Sequence, residues 1–208
     1  MWVVKLGGSL NANPRLVAWL RALADLGGGR VAIVAGGGGF ADAAREVQAQ
    51  WRIDEVAAHN MAVLAMVQSA YLLRALEPRL EMAITEEEVR AALRRGHAAL
   101  WLPYAALREQ LDETTTWEVT GDSLALQFAK GLHAERLVVV KSCEVDRRLD
   151  LAGLVRAGVL DARFALWARD ADFEIDVVNE EALEDVQQRL LGVHVQGSMP
   201  RVRRQRLS

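Results

Sequence analysis

Two lysines stand where a folded chain has little use for a charge. Lys5 sits near the end of the apolar run Trp2-Val3-Val4-Lys5-Leu6, just before Gly7-Gly8-Ser9. Lys141 closes Leu137-Val138-Val139-Val140, just before Ser142. A lone charge buried in an apolar strand is costly unless something meets it. Two ammonium groups at neighbouring strand ends repel unless an anion lies between them, and a phosphoryl group suits that place. The glycines beside Lys5 let backbone N–H groups converge, and such nests bind phosphate. Taken alone, Gly7-Gly8 also reads as an ordinary turn.

A second glycine cluster, Gly36-Gly37-Gly38-Gly39, follows Val31-Ala32-Ile33-Val34-Ala35. Four glycines lose much backbone entropy on folding, and a turn needs only one or two. Their number therefore suggests close approach by a ligand. The segment also satisfies a dinucleotide pattern as Gly36-x-Gly38-x-x-Ala41, with Asp54 near the place of an acidic ribose ligand. That alternative wants a strand carrying the acid, whereas Arg45 to Ile53 reads as helix and turn. A third cluster is Thr120-Gly121-Asp122-Ser123, about twenty residues before Lys141. Asp122 falls at a helix start, where a carboxylate caps the helix or holds a lysine or metal in place. Phosphoryl transfer needs positioning and positive charge more than covalent chemistry. Glycine N–H groups, Lys5 and Lys141 supply the positive potential, and Asp122 orients the lysines. Magnesium is expected with them, because it bridges phosphate oxygens and takes few protein ligands. No G-x-x-x-x-G-K-[ST] occurs, so the chain is not a P-loop enzyme.

The elements that position these residues alternate between strand and helix. Strands are expected at 2–6, 31–35, 81–84, 98–102, 136–141 and 173–178. Helices are expected from Asn13-Pro14 to Leu26, Ala41 to Gln50, Glu55 to Leu76, after Thr120-Gly121-Asp122 to Gly131, and Glu180 to Leu191. Thr85-Glu86-Glu87-Glu88 has the form of a capping box. The alternation predicts an α/β fold, a three-layer αβα sandwich with a mostly parallel central sheet. Ligands in such folds bind beyond the carboxyl ends of the strands, where the lysines lie. The 208 residues suggest one domain over 1–200, followed by a basic tail, 201–208, read as a solvated end.

Composition narrows the function classes. Apolar residues make up 51% and charged residues 25%, the balance of a globular protein. A net charge of -3 lacks the basic footprint of a nucleic-acid binder. The single cysteine, Cys143, fits a reducing compartment, and the expected location is cytoplasmic. No secretory signal is visible at the N-terminus. The longest apolar stretch, Met61 to Leu76, is interrupted by Gln68, Ser69 and Arg74 and reads as a buried helix, so no membrane association is expected. Its apolar surface also suits a dimer face.

The ordered motifs Lys5-x-Gly7-Gly8-Ser9, Val34-Ala35-Gly36-Gly37-Gly38, Thr120-Gly121-Asp122-Ser123 and Val138-Val139-Val140-Lys141 resemble the amino-acid-kinase superfamily over nearly the whole chain. Within it, the length, His59-Asn60-Met61-Ala62, Met66, Gly158-x-x-Asp161 and Val177-Val178-Asn179 resemble the short aminomethylfuran-methyl-phosphate kinases of methanofuran biosynthesis. The resemblance implies an ATP-dependent phosphotransferase for a small-molecule acceptor. ATP and Mg2+ are the implied cofactors, with no dedicated protein metal site, and a homo-oligomer (dimer or higher) is the implied assembly. It implies catalytic roles for Lys5, Asp122 and Lys141. Gly7, Gly8, Ser9, Ser142 and Asp146 would face the nucleotide. The acceptor would lie over Gly36, Gly37 and Gly38, near Thr120. Charge complementarity adds Arg45 or His59 for its phosphate and Asp42 or Asp54 for an amine. One departure stands out: where the superfamily commonly shows Asp-x-Asp-Gly, this chain reads Glu144-Val145-Asp146-Arg147. That change leaves a second reading open, a non-catalytic nucleotide- or anion-binding protein of the same fold.

Overall fold

The computed structural model describes residues 1–192. Six strands are β1 (Trp2–Leu6), β2 (Val31–Ala35), β3 (Glu81–Ala83), β4 (Ala99–Trp101), β5 (Arg136–Lys141) and β6 (Glu174–Asn179). They form one sheet in the order β3-β4-β2-β1-β5-β6. Every pairing is parallel, which sharpens the expectation of a mostly parallel sheet. All five residues of β2 are buried, as are Leu137 to Val140 of β5. Burial on both faces explains why these strands read as unbroken apolar runs rather than alternating ones.

The helices are α1 (Arg15–Leu26), α2 (Gly38–Trp51), α3 (Glu55–Leu76), α4 (Glu86–Arg94), α5 (Gly121–Gly131), α6 (Leu151–Arg156), α7 (Phe164–Trp167) and α8 (Leu183–Leu190). Two apolar layers flank the sheet. One joins Val3, Val34 and Val139 to α4, α5, α6 and α7. The other joins Val4, Ile33 and Val138 to α1 and α8, with Trp19 fully buried. Thr85 caps α4 through the Glu88 N–H, and Glu88 reaches back to the Thr85 N–H, completing the expected capping box. The expected final helix is split: a 3-10 turn, Glu180–Ala182, precedes α8.

Two short helices, α6 and α7, lie where no helix is expected from sequence. The apolar stretch in α3 belongs to a 22-residue helix that by length and hydropathy would pass for a membrane span. Half of that apolar window is buried inside the fold. Val63 and Met66 enter one apolar layer, and Val67, Ala70 and Leu73 enter the other. The basic tail lies outside the described residues.

Strand order decides where a ligand can sit. From β1 the chain moves to β2 on one side, and from β5 it moves to β6 on the other. The loops after these two neighbouring strands therefore part, opening a crevice at their carboxyl ends. Lys5 pairs in register with Val139, two residues before Lys141. Side chains alternate along a strand with a period of two, so both lysines project to the same face, the one covered by α5.

Candidate functional site

At the mouth of that crevice, the Asp122 carboxylate lies between the two lysines. Lys5 donates to one oxygen at 2.6 Å and Lys141 to the other at 2.5 Å. Asp122 is 2% exposed and Lys5 4%. Asp122 is in the first turn of α5, but its side chain caps nothing; both oxygens are taken by ammonium groups. Burial alone would raise its pKa, yet Lys5 and Lys141 outweigh that and hold the carboxyl below its ordinary value. Lys141 is likewise held below the ordinary lysine value. Its burial and then the charge of Lys5 lower its pKa, and Asp122 offsets them only in part. Two cations against one anion leave the cluster with one positive charge in excess, which suits it to an anionic ligand.

The glycines build the wall of this site for a reason the sequence did not reveal. A Cβ on Gly8 would lie 2.1 Å from the Gly38 backbone nitrogen, and one on Gly36 would lie 2.4 Å from that of Gly8. A Cβ on Gly38 would meet the Gly8 carbonyl oxygen at 2.5 Å, and Gly38 also has φ of +56°. The close approach inferred from four glycines is thus, for two of them, Gly36 and Gly38, the approach of one turn to the other, while a Cβ on Gly37 would meet the Ala41 side chain at 2.6 Å. Gly39 differs, since a Cβ there would meet nothing within 4 Å. The α2 helix begins at Gly38, earlier than the expected Ala41, so its first N–H groups lie beside the Gly8 turn. Asn11 and Ser69 brace this unit from below. Asn11 donates to the Ser69 hydroxyl at 2.8 Å, which donates to the Gly37 carbonyl at 3.2 Å. Neither was singled out from sequence, where both read as ordinary polar residues.

Other expected site residues fall into three groups. Gly7 and Ser9 stay with the lysines: the Gly7 N–H bonds the Val140 carbonyl at 2.9 Å, and the Ser9 and Ser142 hydroxyls bond each other, tying the first turn to the end of β5. Thr120 stands beside Asp122, but its hydroxyl and N–H are both turned to Asp161. Asp146 is engaged by the Nε and Nη2 of Arg148 at 2.9 and 2.8 Å, which holds its carboxyl at about 2.

The third group lies along α2 and α3. Arg45 pairs with Asp42 at 3.1 Å and its guanidinium lies 4.3 Å from the Trp117 ring centre. Asp54 caps α3, accepting the Ala57 N–H at 2.8 Å. It also lines an open cleft of about 680 Å3 with Glu55, Asn60, Glu109 and Leu111. The buried His59 donates from Nε2 to the Ala106 carbonyl at 2.8 Å. Asn60 bonds both backbone groups of Arg108. His59 and Asn60 thus pin the segment that leads from β4 towards Thr120.

Asp161 is the residue that sequence reasoning passed over. It carried no role beyond its place in Gly158-x-x-Asp161, yet its carboxylate takes five hydrogen bonds. No short-range pattern marks it, because four of these bonds reach residues 38 to 41 positions away.

As for metals, both Asp122 oxygens are occupied. Among the described residues no three His, Cys, Asp or Glu side chains group closely enough to hold an ion.

Similarity to known proteins agrees with this fold. The chain is 25% identical to the [5-(aminomethyl)furan-3-yl]methyl phosphate kinase of Methanocaldococcus jannaschii, across 93% of this chain and 94% of that one. Its fold is similar to the UMP kinase of Bacillus anthracis, with a TM-score of 0.66 at 19% identity over 97% and 98% of the two chains. It is equally similar to the uridylate kinase of Archaeoglobus fulgidus, with a TM-score of 0.68 at 16% identity over 93% and 97%. Residues 1–145 match the model of the amino acid kinase family, and by that match the chain belongs to this family and is an ATP-dependent kinase.

Proposed function

We propose that this kinase moves the γ-phosphoryl group of ATP onto a small phosphomonoester, making a diphosphate, and that [5-(aminomethyl)furan-3-yl]methyl phosphate is the first acceptor to test. The observation that carries the reading is the Asp122 carboxylate gripping Lys5 and Lys141 at the ends of adjacent strands. An acceptor phosphate oxygen attacks the γ-phosphorus, the bond to the β-phosphate bridging oxygen breaks, and ADP leaves. Lys141 and Lys5 stabilise charge on the transferred group, the kind of preorganised electrostatic aid that dominates such steps. A phosphomonoester has its second pKa near ~6, so its oxygen is already anionic and needs no general base. Of the residues expected near the acceptor phosphate, His59 has its Nε2 committed to the Ala106 carbonyl. The acceptor choice rests on the relative from Methanocaldococcus jannaschii, and the amine of such an acceptor would find carboxylates at Asp54 or Asp42.

The same reading has magnesium arriving as the ATP complex. It has the protein working in the cytoplasm, in keeping with one exposed thiol, Cys143. It also has the chain forming a dimer or larger assembly through α3, where Leu64 and Tyr71 are exposed. Light scattering at micromolar concentration tests the last point, and a monomer would remove it. The function itself is tested with purified protein, MgATP and a panel of phosphomonoesters, following phosphorus signals by NMR. A new diphosphate pair with the furan acceptor is the expected result. Transfer to acceptors without a phosphate, and none to phosphomonoesters, would overturn the proposal.

A further inference from the structure

We infer that Asp161 is a positioning residue for phosphoryl transfer, one that holds the start of α5, and with it Asp122, against the two lysines. The inference rests on the reading of the Lys5–Asp122–Lys141 cluster as the phosphoryl site. Asp161 lies in the segment between α6 and α7. One oxygen accepts from the Thr120 N–H, the Thr120 hydroxyl and the Ser123 N–H, each at 2.9 Å. The other accepts from the Ser123 hydroxyl at 2.5 Å and the Phe164 N–H at 3.1 Å.

These bonds do what a helix cap does, but from a distance. Helix starts leave N–H groups without partners, and a side-chain oxygen at the cap position normally takes one. Thr120 occupies the cap position of α5 and its side chain caps nothing. Asp161 instead takes the Thr120 and Ser123 N–H groups, bracketing Gly121 and Asp122. A carboxylate at the helix start is also favoured by the helix dipole. A second tie runs alongside, from the Arg163 N–H to the Glu118 carbonyl at 3.1 Å.

The consequence reaches the lysines. Gly121, between the bonded residues, leaves the first turn without a side chain to lock it, so the turn depends on its tether. Asp122 must place one oxygen on each lysine, and a small rotation of the turn would release one of them. Asp161 follows Ser142 and Asp146 in the chain, after the loop expected to face the nucleotide. Through Thr120 and Ser123 it joins the segment between α6 and α7 to the helix that carries Asp122.

The test compares Asp161→Ala and Asp161→Asn with Thr85→Ala, which removes a helix cap on α4 far from the lysines. Two readouts are taken well below each melting midpoint. In steady-state turnover, Asp161→Ala is expected to lose kcat by about 100-fold, the scale of a 1 Å misplacement, with KM for ATP within about threefold. Asp161→Asn keeps one oxygen and should lose less, and Thr85→Ala should keep wild-type kcat. In the second readout, the rate at which an amine-directed reagent labels Lys141 is followed by peptide mapping. It should rise several-fold in both Asp161 variants and stay unchanged in Thr85→Ala. If Asp161→Ala does not fold, Asp161→Asn carries the test. Wild-type kcat and wild-type Lys141 labelling in a folded Asp161 variant would overturn the inference. Absence of turnover in the wild type would instead count against the kinase reading, and the labelling comparison would still decide the role of Asp161.

Discussion

Strand β5 begins with Arg136 and ends with Lys141, each of which shares a buried carboxylate with a second cation, and the two ends do opposite jobs. At its start, Arg136 and Arg189 both reach Asp176, which is 1% exposed. At its end, Lys141 and Lys5 both reach Asp122. The arginine end is balanced. Arg136 also pairs with Glu174 and lies over the Trp2 ring, so two cations meet two carboxylates. The lysine end has one carboxylate for two cations, and it opens onto a glycine wall at the parting of two loops. Arginine suits the first place because its planar fork satisfies several acceptors at once. Lysine suits the second because a compact ammonium can turn from one anion to another. A buried ion cluster is therefore not a site in itself; the uncompensated charge and the open crevice make it one.

Neutralisation is the sharpest way to break this comparison. Asp122→Asn should lower kcat by about 100- to 1000-fold, the cost of losing preorganised charge, and should also lower the melting midpoint, because Lys5 and Lys141 lose their shared anion. Asp176→Asn should lower the melting midpoint without the loss of turnover. Removing one partner of a buried pair costs ~3 kcal/mol or more in stability, while turnover per folded molecule should stay near wild type. Parallel melting curves and kinetics check both. Equal effects on activity from the two variants would erase the distinction.

The pH dependence sharpens it further. Asp122 is held below its ordinary value, so its stabilising contribution is present above about pH 4 and is lost as pH falls through its lower folded value. Lys141 is also depressed, by burial and Lys5, so it gives up its proton below the usual lysine value of ~10.4. Between its folded and unfolded values the unfolded chain binds more protons, and stability rises with pH. Activity should fall in that same alkaline window as the ammonium is lost. A kcat profile flat to pH 10.5 would contradict the assignment.

Smaller effects separate the glycines. Gly8→Ala forces a Cβ against the Gly38 backbone and should fail to fold or lose several degrees of melting. Gly39→Ala has open space and a helical place, so it should gain up to ~1 kcal/mol in a chemical melt. If Gly39→Ala keeps that stability but loses turnover, its bare backbone serves the ligand.

The glycines also show what the sequence could and could not disclose. Lys5, Lys141 and Asp122 were legible because charges of opposite sign at strand and helix ends must find one another. Strands β1 and β2 were legible because their apolar β-branched runs stop at glycine, and β5 because Leu137-Val138-Val139-Val140 is unbroken. The reason for the glycines was not, because the atoms that crowd Gly8 belong to Gly36 and Gly38, some thirty residues on. Helices α6 and α7, of six and four residues, are too short to show a helical period. Asp161 was silent for the same cause as the glycines, its partners lying far along the chain. His59 and Asp54 were picked out by charge, and the bonds they make in the fold, to Ala106 and Ala57, are backbone contacts that charge does not foretell.

The most direct test of the central claim is ADP release from MgATP with [5-(aminomethyl)furan-3-yl]methyl phosphate, for wild type and Lys141→Ala, at a temperature where both are folded. The account predicts turnover in the wild type and a loss of at least about 100-fold in the variant. Turnover by Lys141→Ala at the wild-type rate would contradict it.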